Sequence, residues 1–398
     1  MSSKELFEQV SLKLERGEYT NLCNEVQHLG IEKAVLKYNS NPLLKEASQQ
    51  CHARHKYKKK FEVLIRSYPG WLFPPGLPLQ QASHHLTSTF KSRILSSYNT
   101  VIDLTGGLGM DTVAFACAVS KTIYLERNKK IFDYNDFNFS KYLPHIERYN
   151  LDAFEWLRKF RPSNEKTLIY ADPARRTTTG KKTFHPADYD PNPSELYKSI
   201  NGLEVDLLLK VSPVADLEFL SRYIGPPAKV YLLAVEDELK EVLLLYASDT
   251  LPPLLEIWLC GEPPHLLFSS DRLTHQNKVP VTAKPENFIY IPHAALVKNG
   301  ADKALAENLG LTTFHQNARI YTSSQLMNMP GWRVYRTLRF SMALPELQVT
   351  EAMVITGKFP DSAENIRKKH KIAESDTRAL IATKTEKNKN LWILAEKL

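Results

Sequence analysis

The stretch Val101–Thr112, VIDLTGGLGMDT, decides how this chain is read. A short apolar run enters it, Gly106, Gly107 and Gly109 crowd its middle, and an apolar, helix-like run leaves it. The 398 residues contain only 15 glycines, so such a cluster is informative. A strand passing through a glycine turn into a helix is a ligand-holding geometry. Glycine lets the backbone come close to a ligand, and a helix N-terminus offers free N–H groups. A dinucleotide site requires G-x-G-x-x-G/A, but after Gly107 and Gly109 the third small position is Thr112. The strand ends instead on a carboxylate, Asp103. That suits S-adenosylmethionine (SAM), whose aminoacyl end carries an ammonium for Asp103 to balance. A plain strand-to-helix connection remains the competing reading, as does a capping role for Asp103.

Outward from the turn, strand-like and helix-like segments alternate over about 76–255. TVIDLT, TIYLE, TLIYADP, DLLLKVSP and KVYLLAVE are short, apolar and rich in Val, Ile and Leu, as strands of a sheet covered on both faces are. MDTVAFACAV, KKIFDYNDFNFSKYL, DAFEWLRKF, ADLEFLSRYI and LKEVLLLYA read as the helices between them. The fold class expected is α/β, a doubly wound, Rossmann-like sheet. LPPLLEIWLCGE reads as a last, antiparallel edge strand. Chemistry collects at the strand ends. Glu126 closes the second strand, where an acid can accept both ribose hydroxyls. Asp152 opens the helix after the third strand and can accept an adenine amine, and YADPARR closes the fourth strand with Asp172 and Pro173.

Together these four strand-end features resemble the motifs of the class I SAM-dependent methyltransferases: DLTGGLGMD, YLE, NLDAF and YADPAR, in that order. The resemblance implies a cofactor site made by Asp103, Thr105, Gly106, Gly107, Gly109, Asp111, Glu126, Asp152 and Ala153. It also implies a reaction site at Asp172, Pro173, Ala174 and Arg175. Many amino-directed members carry [DN]-P-P-[YFW] there, where the acidic or amide oxygen aims an exocyclic amine and the aromatic ring stacks on the base. This chain has Ala174 and Arg175 in the last two places. An arginine plane can stack on a base or pair with a phosphate, so Arg175 and Arg176 become candidates for substrate contact, together with Ser212 and Pro213 of SPVAD. For the arginines a surface ion pair, and for SPVAD a helix cap by Ser212 or Asp216, are the plainer readings. Gln81 and Ser83, just before the first motif, are candidates for the cofactor edge.

LIYADPARR, LLLKVSPVADLEFL, FIYIPHAALVKNGADKALAENLGL and VITGKFPDSAENIRKKHKI carry a closer resemblance, to a bacterial group of methyltransferases in which a ferredoxin-like segment and a THUMP-like domain follow the catalytic domain. It implies RNA as the substrate class. The expected domains are a helical one at 1–75, a methyltransferase domain at 76–261, a ferredoxin-like or linking segment at 262–333 and a THUMP-like α+β domain at 334–398. A net charge of +8 favours an anionic partner only weakly over this length. Basic runs at His52–Lys60 and at Arg367, Lys368, Lys369 and Lys371 are either solvated helix faces or RNA contacts. Lys181 and Lys182 read as solvated loop charges.

Cys23, Cys51, Cys117 and Cys260 have no metal-like spacing and read as reduced thiols of a cytoplasmic protein. His84 and His85 lack further ligands at fixed spacing, so no metal is expected. The N-terminus reads as an amphipathic helix rather than a signal peptide, and no stretch approaches the roughly 18 apolar residues of a membrane span. Asp361 with Glu364 resembles a capping box. The competing functions are a non-catalytic RNA-binding or assembly factor on this fold, an NAD(P)-dependent oxidoreductase, and a methyltransferase for protein or a small molecule.

Overall fold

A computed structural model describes residues 2–76, 78–174, 185–247 and 254–398. Arg175, Arg176, Lys181 and Lys182 lie outside the described residues. The chain forms two compact units, residues 1–229 with 241–250, and 230–240 with 251–398.

The first unit opens with helices α1 (Ser3–Glu15), α2 (Thr20–Leu29), α3 (Ile31–Lys37), α4 (Pro42–Lys56) and α5 (Lys58–Ser67), followed by α6 (Pro78–Gln81) and α7 (His85–Ile94). Local chemistry starts them. Ser2 and Glu5 form a reciprocal capping box, and Asn41 caps α4 ahead of Pro42. Then come β1 (Thr100–Asp103), α8 (Met110–Ala116), β2 (Lys121–Leu125), α9 (Lys129–Tyr142), β3 (Glu147–Tyr149), α10 (Ala153–Lys159), β4 (Thr167–Ala171), α11 (Pro193–Ile200), β5 (Val205–Val211), α12 (Leu217–Ile224) and, after β6 (Lys229–Val235), which from Val230 on belongs to the second unit, β7 (Glu238–Tyr246), which belongs to the first from Glu241 on. The strand order is β3-β2-β1-β4-β5-β7, parallel except for β7, which runs antiparallel to β5. Strands β1 and β4 are buried along their whole length, which explains their unbroken apolar sequences. The N-terminal helices close a core with Phe7, Val10, Val26 and Ala47 against Tyr134 of α9.

The second unit contains β8 (Leu254–Leu259) and β9 (His265–Ser270), an antiparallel pair. It continues with β10 (Phe288–Pro292), α13 (Ala294–Val297), α14 (Ala301–Asn308), β11 (Thr312–Thr313), β12 (Tyr321–Ser323), β13 (Trp332–Ser341), β14 (Met353–Gly357), α15 (Ala363–His370), β15 (Arg378–Lys384) and β16 (Asn390–Lys397). Its seven-stranded sheet has the order β11-β12-β10-β13-β16-β15-β14. This is the small α+β pattern expected of the tail, with β15 as a strand that the apolar pattern did not bring out.

Several sequence expectations are corrected. LKEVLLLYA is strand β7, not a helix. Its Val242–Leu244 are fully buried, and a short leucine-rich run has no periodicity to separate helix from buried strand. Strand β8 is antiparallel but not an edge, because β9 lies beside it. Helix α15 is capped by Ser362, whose side chain accepts from Asn365 N, one residue later than the Asp361–Glu364 box. Cys23 and Cys51 are joined in a disulfide rather than reduced. The packing of α2 on α4 brings their Cα atoms to 4.9 Å, a proximity that a separation of 28 residues does not announce.

Candidate active site

Strands β1, β2, β4 and β5 are parallel and end at one edge of the sheet. Asp103 is level with Tyr124 and Tyr170, and Ala171 with Leu209. The order reverses between β1 and β4, the switch point at which open α/β sheets bind ligands. The glycine turn lies there. Gly106 N–H donates to Leu125 O at 2.8 Å, and Gly109 N–H to Gly106 O at 2.8 Å. A Cβ on Gly106 would sit 2.0 Å from the Tyr124 ring, and one on Gly109 would sit 2.6 Å from Phe139 Cζ. Gly107 and Gly109 have φ of +51° and +74°, which L side chains seldom adopt. Packing thus requires glycine at 106 and 109, and the backbone conformation favours it at 107.

The four strand-end acids occupy distinct surroundings. Asp103 is 1% exposed and accepts from Thr105 N at 3.2 Å and Thr112 Oγ1 at 2.7 Å. Burial pushes its carboxyl up to about 7, and the charges of Asp111 and Asp172 add to that. Glu126 accepts from Gly107 N at 3.1 Å and Asn128 N at 2.6 Å, and burial raises it too. Asp152 caps α10, accepting from Phe154 N at 2.9 Å, with Ala153 buried behind it. Asp172 N–H donates to Thr105 Oγ1 at 2.6 Å, so the ends of β1 and β4 are tied together. Asp172 Oδ2 meets Lys210 Nζ at 2.7 Å. Pro173 is buried, and Ala174 exchanges two backbone hydrogen bonds with Asp190, at 2.8 and 3.0 Å. Ser212 and Pro213 follow directly after β5, and Ser212 Oγ accepts from Val214 N. The cap of α12 is Asp216.

Behind this edge is a buried polar cluster that the motifs did not point to. Lys91 of α7 is fully buried and reaches Asp111 Oδ1 at 2.7 Å, Glu241 Oε2 at 2.7 Å and Ser83 Oγ at 3.2 Å. Asp111 also accepts from Ser88 Oγ at 2.6 Å, and from Ser83 Oγ and Tyr170 OH at 2.7 Å each. Lys210 donates to Ser83 Oγ at 2.9 Å and lies 3.6 Å from Glu241 Oε1. Burial opposes charge on Asp111, Glu241 and Lys210. For Asp111 and Glu241 it is outweighed by Lys91 and Lys210, which hold both carboxyls below their ordinary values. Lys210 is likewise held above the ordinary lysine value by Asp172, Glu241 and Asp111. Asp111 and Ser83 are therefore occupied within the protein. The signal for Lys210 and Glu241 was present in the sequence, because each is a charged residue beside a run of buried leucines. Lys91 sits in FKSRIL, where nothing marks it as buried.

Other candidates lie elsewhere. The rings of His84 and His85 lie tilted at 32° with centroids 4.4 Å apart, and no group of three or more metal-type ligands occurs among the described residues. In the first basic run Arg54 is turned inward, donating to Pro69 O at 2.6 Å and Trp71 O at 2.9 Å, and Lys60 donates to Leu79 O and Gln80 O. In the second, Arg367 pairs with Glu374 and Lys368 with Glu364. No helix among the described residues is long and apolar enough to cross a membrane.

Residues 288–330 match a ferredoxin-like domain family, and residues 332–397 match a THUMP domain-like family. Across its whole length the chain is similar to a solved structure from Porphyromonas gingivalis W83, described as a candidate methyltransferase. The two share 25% identity at a TM-score of 0.82, over 100% of this chain and 99% of that one. A SAM-dependent methyltransferase from Agrobacterium tumefaciens aligns at 17% identity over 40% of this chain and 51% of its own, with a TM-score of 0.28. A Streptococcus mutans protein solved with SAH aligns at 16% over 43% and 97%, with a TM-score of 0.30. Likenesses that low carry no weight beside the first. No curated protein matches the chain. The chain thus shares its fold over its whole length with that candidate methyltransferase, and its C-terminal part matches a ferredoxin-like and a THUMP domain-like family.

Proposed function

We propose that this chain is a SAM-dependent methyltransferase acting on RNA at a base exocyclic amine. The observation that carries the proposal is charge at the switch point. Among the described residues, the carboxyls of Asp111, Asp172 and Glu241 share two ammonium groups, Lys91 and Lys210, and Asp103 forms an ion pair with neither. A cation beside Asp103 offsets that excess, and a dinucleotide pyrophosphate worsens it. SAM fits these residues, with the glycine turn clearing room for its chain, Asp103 facing its ammonium, Glu126 its ribose and Asp152 its adenine. When bound, SAM supplies a methyl group on cationic sulfur.

The rest is positioning. Lys210 fixes one oxygen of the Asp172 carboxylate, and the other is left to accept an N–H of the acceptor amine and to take the proton that the amine sheds. The backbone carbonyl of Pro173 is the second acceptor. RNA is supported by the THUMP-like match at 332–397 and the basic balance of the chain. The cytoplasm is the compartment this reading requires. Calorimetric titration with SAM comes first, and absence of heat and of a thermal shift sinks the cofactor assignment. Nucleoside mass spectrometry of total RNA from a deletion strain and its parent then tests the substrate. One methylated nucleoside missing from the deletion strain is expected, and identical profiles would remove RNA.

A further inference from the structure

Gly107 is held by hydrogen bonds and not by packing. A Cβ there would meet nothing closer than Thr105 O at 3.7 Å, whereas Gly106 and Gly109 lie against the rings of Tyr124 and Phe139. The Gly107 carbonyl accepts from Tyr124 OH at 2.9 Å and from Asn135 Nδ2 at 2.5 Å. Asn135 Nδ2 also donates to Tyr124 OH at 2.8 Å, so the three groups close a ring of bonds in which every side-chain donor is used. Tyr124 of β2 and Asn135 of α9 are both fully buried. Asn135 Oδ1 is buried with no donor among the described residues, so the amide serves through its N–H groups. A phenylalanine ring would fill the space of Tyr124, which leaves the Gly107 carbonyl as the reason for its hydroxyl. On its other side Gly107 donates its N–H to Glu126 Oε2 at 3.1 Å, and Asn128 N–H donates to Oε1 at 2.6 Å. A carboxylate held at both oxygens by backbone donors keeps one plane, and each oxygen retains a lone pair for a hydroxyl.

We infer that Tyr124 and Asn135 are positioning residues, which hold Gly107 so that its N–H sets the Glu126 carboxylate for the two hydroxyls of a ribose. The inference rests on the SAM reading and adds two residues that touch no ligand. It is tested by calorimetric titration of the full-length protein with S-adenosylhomocysteine and with its 2′,3′-dideoxy analogue. The wild type prefers the ribose form by about tenfold or more. In Tyr124→Phe and in Asn135→Leu that preference falls by about fivefold, while affinity for the dideoxy analogue changes by less than about twofold. Glu126→Gln lowers the preference too, and adding Tyr124→Phe to it lowers the preference no further. A merely structural role would weaken both ligands alike and leave their ratio unchanged, which overturns the inference. So does a wild type that binds both forms equally, with the cofactor assignment still standing. If one variant fails to fold, the other reads the same ratio, and failure of both marks a structural role and overturns the inference. If the wild type binds neither ligand, the SAM reading falls and the inference with it.

Discussion

At the scale of single residues, the glycines of the turn are not equivalent. A methyl on Gly106 enters the Tyr124 ring, whereas one on Gly107 finds nothing closer than Thr105 O at 3.7 Å. Gly106→Ala should therefore cost about 1–3 kcal/mol through overpacking and lose SAM binding. Gly107→Ala should cost about 1–2 kcal/mol from its positive φ alone and keep measurable binding. Denaturant unfolding and calorimetry check both, and equal losses would contradict this packing. Asp103 gives a pH prediction. Its folded carboxyl is raised to about 7, well above the ordinary aspartate range. The stability tied to its neutral form is therefore complete at acid pH and is lost as pH rises through about 7. Asp103→Asn removes that loss, so its melting temperature relative to wild type should climb between pH 5 and pH 8. A difference that does not change with pH would show that Asp103 titrates normally.

At the scale of elements, α7 is tied to the sheet by a buried lysine together with Thr87, whose Oγ1 donates to Glu241 Oε1 at 2.8 Å. Lys91 contacts Asp111 at the start of α8 and Glu241 on β7. Lys91→Met leaves two buried carboxylates without that partner and should cost about 3–5 kcal/mol in urea unfolding. A loss below about 1 kcal/mol would mean that the cluster is solvated. Much of the element order was legible in the sequence. Apolar strands entering turns that carry Asp, Gly or Pro marked β1, β4 and β5, the acid Glu126 marked the end of β2, and Asp152 and Asp216 marked helix starts. Strand β7 was not legible, because leucines serve a buried strand and a buried helix equally.

At the scale of the whole molecule, the proposed RNA substrate is open to a test of its own. With a net charge of +8 and basic residues in both units, binding to bulk RNA should weaken steeply between 50 and 200 mM salt. The slope should be about −0.7 per phosphate neutralised on single strands, read by fluorescence anisotropy. Binding that ignores salt would argue against a phosphate-contacting surface.

The sequence alone determined the strand–turn–helix around Gly106, Gly107 and Gly109, the acids at successive strand ends, and hence the fold class. These are local facts, because backbone freedom, capping and apolar runs are written in neighbouring residues. Only the tertiary structure decided what those acids face. Lys91, Lys210 and Glu241 are remote in sequence from Asp111 and Asp172, and a buried ion pair forms wherever strands and helices place opposite charges together away from water. The turn was readable because its chemistry is local, and the charge balance across from it was not, because it belongs to the fold.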